Sequence, residues 1–172
     1  MQMKPNIPDD GLSPCKTVVL GLGNLLLSDE GLGIHALRRL EERYRLPQAV
    51  ECVDGGTLGL VLLAYLEEAA QLLVIDAVQA GREPGALVRL EAGAIPASLS
   101  LSLSMHQLGF QQLLAISRLC GSAPGQVVVL GIEPGSLAEA IGLSPAVEAQ
   151  MGRLIDAVAE ELRSWGLDVS LR

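Results

Sequence analysis

A chain of 172 residues, 49% hydrophobic and with a mean hydropathy of +0.40, has the size and composition of one globular domain with a substantial core. A net charge of −8 and an aromatic content of 2% argue against nucleic-acid binding, which calls for a basic surface and stacking rings. No apolar run approaches the roughly 20 residues of a membrane-spanning helix; residues 58–66, for example, contain Gly59 and run into Glu67 and Glu68.

Residues 1–16 read as a disordered lead-in, and residues 17–172 as the folded domain. Up to Pro14 the chain is polar and proline-containing, without the cationic and apolar regions of a secretory signal. Cys15, Cys52 and Cys120 are scattered, with no CxxC spacing. That usage suits reduced thiols in the cytoplasm better than a disulfide framework or a zinc ribbon. Cys52 lies in an apolar strand pattern and reads as core.

The first strand is expected over residues 17–22, an apolar run ending in Gly21-Leu22-Gly23. A glycine-rich turn follows, carrying Asp29 and Glu30, and a helix is expected from about 31 to 44. Asp29 reads as a helix cap. The second strand covers 50–53 and ends at Asp54, with Gly55-Gly56 as its turn and Thr57 as the N-cap of a helix over 58–70. The third strand covers 72–75 and ends at Asp76. Residues 86–90 alternate as a short strand, and the link before it is too short for a parallel crossover, so this strand is expected to be antiparallel. Residues 91–103, rich in Ser, Ala and Gly, read as a mobile loop. Ser104-Met105-His106-Gln107 forms a capping box for a helix running to about 120. A last strand covers 127–132, ending at Glu133-Pro134. Ser144-Pro145, with Pro at the first helical position, opens a helix continuing to about 165. These elements predict an α/β fold: a single-domain three-layer sandwich, with a mostly parallel five-stranded twisted sheet, one antiparallel strand, and helices on both faces.

In such a sheet the acids Glu30, Asp54, Asp76 and Glu133 fall along one edge, beyond the carboxyl ends of the strands, where ligand sites form. An acid at a strand end is more often a turn or cap residue than a ligand, so the clustering is what points to a site. A phosphate-cradling loop gains nothing from Asp29 and Glu30, which would repel the anion. A loop that holds a cation or polarises a water can use them. His106 sits near a helix start, where the dipole favours the neutral imidazole that can ligate a metal. Together Glu30, Asp76 and His106 make a two-carboxylate, one-imidazole set suited to Ni, Zn, Fe or Mn. His35, beside Arg38 and Arg39, reads as structural. A dinucleotide fingerprint fails because Leu26 stands where the third glycine belongs, and a GxSxG nucleophile elbow is absent.

The motif Gly21-Leu22-Gly23-Asn24 through Asp29-Glu30-Gly31 to Gly33 resembles the opening of the hydrogenase maturation endopeptidases. The likeness continues through Asp54-Gly55-Gly56-Thr57, Val74-Ile75-Asp76-Ala77, Ser104 with His106 and Gly109, Gly131-Ile132-Glu133-Pro134 and Gly142-Leu143-Ser144-Pro145. It spans about residues 17–165. The resemblance implies an enzyme that removes a C-terminal extension from the large-subunit precursor of a nickel-iron hydrogenase after nickel insertion. It implies that Glu30, Asp76 and His106 contact nickel carried by that precursor, with both carboxylates open as candidates for the base. It places Asp54, Gly55 and Gly56 near the same cleft as substrate-binding residues. The expected protein is a cytoplasmic monomer that binds neither nucleic acid nor membrane. A self-contained metallohydrolase and a non-catalytic nickel-dependent chaperone of the same precursor are the alternatives.

Overall fold

The computed structural model describes residues 16–56, 59–91 and 110–172. In chain order the elements are β1 (Lys16–Leu22), a 3-10 turn (Ser28–Gly31), α1 (Leu32–Arg43), β2 (Tyr44–Arg45), β3 (Val50–Gly56), a second 3-10 turn (Gly59–Val61), α2 (Leu62–Glu68) and β4 (Ala69–Ala77). They continue with β5 (Leu87–Glu91), α3 (Phe110–Leu119), β6 (Gln126–Ile132), α4 (Pro145–Glu148), α5 (Met151–Ser164) and β7 (Ser170–Leu171).

Five strands form one sheet in the order β3-β1-β4-β6-β5. The first four run parallel, and β5 is antiparallel to β6. The middles of the central strands, residues 18–22, 72–75 and 127–132, are apolar because both faces are covered, and their period-two alternation divides the side chains between two cores. Val19, Leu73, Ile75, Val128 and Leu130 meet α1 and α5 on one face. On the other, Val18, Leu20, Leu72, Val74 and Val129 meet Leu62 and Leu66 of α2 and Leu113 and Leu114 of α3. Helix α5 buries Met151, Leu154, Ile155, Val158, Ala159 and Leu162, the spacing of one helical face. Among the described residues no helix is long and apolar enough to cross a membrane.

Several boundaries differ from the sequence reading. Lys16 already belongs to β1, where its ammonium bridges Glu51 and Glu68 at 2.6 Å each. Residues 69–71, expected to be helical or turn, extend β4, because Ala69 and Gln71 pair with Lys16 and Thr17. The 145–165 helix is two helices, α4 and α5, with Ala149 and Gln150 between them. A two-stranded antiparallel ribbon of β2 and β7 was not anticipated. It is fastened by the Tyr44 hydroxyl donating to Asp156 at 2.7 Å and by the Arg163 guanidinium 5.4 Å from the Tyr44 ring centre. Glu91, expected to open the 91–103 loop, is the last residue of β5. The rest of that loop, the proposed lead-in up to Cys15, Thr57 and the capping box with His106 lie outside the described residues.

Candidate active site at the carboxyl edge of the sheet

Helix α1 lies unusually close to the strand ends that carry the site. A Cβ on Gly33 would stand 2.2 Å from the Ile75 carbonyl oxygen and 2.4 Å from that of Leu22, and a Cβ on Gly21 would stand 2.5 Å from the Gly33 oxygen. Only glycines allow backbone to approach backbone this closely. The turn preceding α1 is thereby pressed against β4. Gly23 takes φ +130°, and a Cβ there would overlap the Glu30 carbonyl, so the chain folds back on itself between β1 and the turn.

Asp76 is the penultimate residue of β4 and is fully buried. Its Oδ1 accepts the Ala77 amide at 2.8 Å. Its backbone pairs with Gly131, where a Cβ would stand 2.1 Å from the Asp76 carbonyl oxygen. Glu30 is 9% exposed, and its carboxylate has no hydrogen-bond or ion-pair partner among the described residues. Burial pushes its pKa above the ordinary carboxylate range.

Asp54 departs from the expected position. It is not a strand terminus: β3 continues through Gly56, pairing Asp54 with Gly21 and Gly56 with Leu22, and Gly55 is the extra residue of a bulge. Nor do Gly55 and Gly56 form the turn. Gly55 is needed because a Cβ would press 2.7 Å from a Leu20 methyl, and the Gly56 oxygen accepts the Gly23 amide at 3.3 Å. The Asp54 carboxylate is about half exposed and only loosely paired, 3.9 Å from the Arg38 guanidinium.

The other two acids of this edge are structural. Glu133 Oε2 accepts the amides of Ala80 and Arg82 at 2.8 and 3.1 Å, pinning the segment after β4. Asp29 does not cap its own helix; its carboxylate accepts the amides of Gly135, Ser136 and Ser144 and the Ser144 hydroxyl, at 2.6–2.9 Å. Sequence reasoning assigned Ser144 to its helix start alone, and only its place in the Gly-Leu-Ser-Pro motif marked it further. His35 is half-buried in α1 with its pKa lowered, first by burial and then by Arg39 and Arg38. Cys52 is half-buried against the core, and burial pushes its thiol up to about 12.

Glu30 and Asp76 are therefore brought to one edge, with Asp54, Gly55 and Gly56 along the neighbouring strands, and His106 lies outside the described residues. Among the described residues no three His, Cys, Asp or Glu side chains are grouped to hold a metal ion. The arrangement defines a class: an α/β protein with carboxylates along the carboxyl edge of its sheet under a glycine-packed helix.

The chain belongs to the hydrogenase maturation protease family, whose HycI model matches residues 34–161. It is 42% identical over 159 residues to the hydrogenase expression/formation protein HupD of Rhodobacter capsulatus, covering 91% of this chain and 76% of that one. It is 37% identical to the hydrogenase 2 maturation protease of Escherichia coli K12, over 89% of this chain and 94% of the other. Among solved structures it matches the hydrogenase maturating endopeptidase HybD from E. coli with a TM-score of 0.84 at 37% identity, covering 91% and 98% of the two chains.

Proposed function

We propose that this endopeptidase removes a C-terminal extension from the large-subunit precursor of a nickel-iron hydrogenase, acting in the cytoplasm as a monomer and recognising nickel that the precursor itself carries. The observation that carries the reading is Glu30, a buried carboxylate with no described partner on the same edge as Asp76. A buried carboxylate without a partner is costly, and an arriving cation relieves that cost. Two carboxylates and the His106 imidazole make a donor set that fits nickel.

Glu30, Asp76 and His106 reach the precursor's nickel and so orient the scissile peptide along the edge, with Asp54, Gly55 and Gly56 flanking it. Water adds to the peptide carbonyl carbon while a carboxylate, Glu30 or Asp76, takes its proton. The C–N bond then breaks and the proton passes to the leaving amine. Burial that raises the pKa of Glu30 also makes it the stronger base once ionised.

Single Ala substitutions of Glu30, Asp76 and His106, mixed with nickel-loaded precursor and read by large-subunit mass, each lower cleavage by about 100-fold or more. Full processing by all three variants would sink the proposal. Nickel-free precursor stays uncut, and its efficient cleavage would reject nickel-gated recognition. Stoichiometric metal in the purified enzyme alone would favour a self-contained metallohydrolase, and complex formation without released peptide a chaperone.

A further inference from the structure

The fully buried Asp29, next in sequence to Glu30, takes no part in the chemistry just described. Its Oδ2 accepts the Gly135 and Ser136 amides at 2.8 and 2.9 Å and the Ser144 hydroxyl at 2.8 Å, and its Oδ1 accepts the Ser144 amide at 2.6 Å. Bonds to an ionised acceptor are the strong class, and here four converge on one carboxylate. The backbone reinforces them. The Ser28 amide donates to the Ala140 oxygen at 2.8 Å, the Asp29 amide to the Ser136 oxygen at 3.1 Å, and the Ala140 amide to the Leu26 oxygen at 3.1 Å. Ser28 is held at φ +50°, a left-handed conformation that persists in a non-glycine residue only where its surroundings over-determine it.

We propose that Asp29 is a positioning residue for the cleavage reaction: by tying residues 135–144 to the Ser28–Gly31 turn, its carboxylate fixes where Glu30 is presented. The inference rests on the role given to Glu30 above. The Glu30 carboxylate has no described bond of its own, and the Glu30 amide donates to the Leu27 oxygen at 3.1 Å within the turn, so the position of the side chain is inherited from the turn. The turn in turn is fixed at its start by the clamp to 135–144 and at its end by the close approach of Gly33 to β1 and β4. Loss of the clamp leaves α1 seated and the turn free to move, and a displacement of about 1 Å at a catalytic group can cost about 100-fold in rate.

The test uses the full chain and nickel-loaded precursor. Asp29→Asn keeps one acceptor oxygen and turns an NH₂ toward backbone donors. Ser144→Ala removes one bond of the four. Cleavage is measured per folded enzyme, below the melting transition of each variant. Asp29→Asn raises KM for the precursor or lowers kcat, reducing kcat/KM by about 10- to 100-fold, and Ser144→Ala reduces it by about threefold. Amide exchange at Gly135, Ser136 and Ser144 accelerates in both. A purely structural role would reduce only the active fraction, leaving kcat/KM per folded molecule as in the unaltered protein. That result in both variants overturns the proposal, and if Asp29→Asn does not fold, Ser144→Ala alone decides. Glu30→Ala run in parallel separates the two failures. Normal cleavage by Glu30→Ala removes the role of Glu30 itself, whereas impaired Glu30→Ala beside unimpaired Asp29→Asn removes the positioning role alone.

Discussion

Asp29 and Glu30 are neighbours on one short turn, both acidic and both buried, and their surroundings are opposite. Asp29 is surrounded by donors from the segment after β6, whereas Glu30 has none among the described residues. A carboxylate that accepts several backbone amides ties together the segments that supply them, and it holds the fold together. One that is desolvated without a donor loses stability when charged, and a fold retains such a group where something else will meet it. Burial alone therefore does not tell these two carboxylates apart; the donors around each do.

The largest perturbation erases the contrast by acting on both residues together. In Gly33→Ala the new methyl would stand 2.2 Å from the Ile75 carbonyl oxygen, a backbone atom that cannot swing aside. Helix α1 and the turn before it must lift from the strand ends. Stability falls by about 3 kcal/mol, read as the shift in denaturant midpoint, and cleavage falls with it. A variant with unchanged stability would show that the close approach is not a constraint on this chain.

Next in size, Glu30→Gln separates the two acids. Glutamine keeps the shape and removes the buried charge, so cleavage is lost while stability at neutral pH rises by about 1 kcal/mol. The sign follows from the direction of the shift. The folded pKa lies above the ordinary 4.5. Below that ordinary value Glu30 is protonated in both the folded and unfolded states, and the charge costs nothing. As pH rises past it the unfolded chain ionises first, and above the raised folded value the full cost of the buried charge is present. The stability gain of Glu30→Gln over the unaltered protein therefore opens as pH rises through this window and closes at low pH. Thermal melts at several pH values measure it, and a gain of equal size at low pH would contradict the desolvation argument.

Much of the fold was legible because the physics that sets it is local. Strands β1, β4 and β6 each contain an uninterrupted run without polar residues (18–22, 72–75 and 127–132), which a sheet covered on both faces demands, and the short link before β5 settled its direction. The departures arise where distant partners override local preference. Ala69 and Ala70 favour helix, yet pairing with β1 draws residue 69 onward into β4. Gly55-Gly56 looks like a turn, but Gly55 answers to the Leu20 side chain beneath it. Strands β2 and β7 are two residues each, too short for any pattern. Glu30 and Asp76 were legible as candidates through the strand ends and the family motifs. The role of Asp29 was not, because its donors lie 106 to 115 residues further along the chain.

The smallest expected effect sharpens the contrast from the solvent side. Arg39 and Glu148 form a two-bond pair at 2.8 and 3.0 Å, geometrically as good as the bonds to Asp29, but their side chains are 38% and 49% exposed. The Arg39 guanidinium holds the Glu148 pKa below the usual range. Water already solvates both ions well, so bringing them together gains little beyond what solvent offered each alone. Arg39→Met keeps most of the aliphatic stem and removes the charge with both bonds to Glu148. It lowers stability by less than about 1 kcal/mol, and the difference shrinks further in about 1 M salt, where the screening length is about 3 Å. Denaturant titrations of Arg39→Met and Asp29→Asn side by side make the comparison directly. Equal losses from the two would mean that removal from water adds nothing to the strength of the Asp29 clamp.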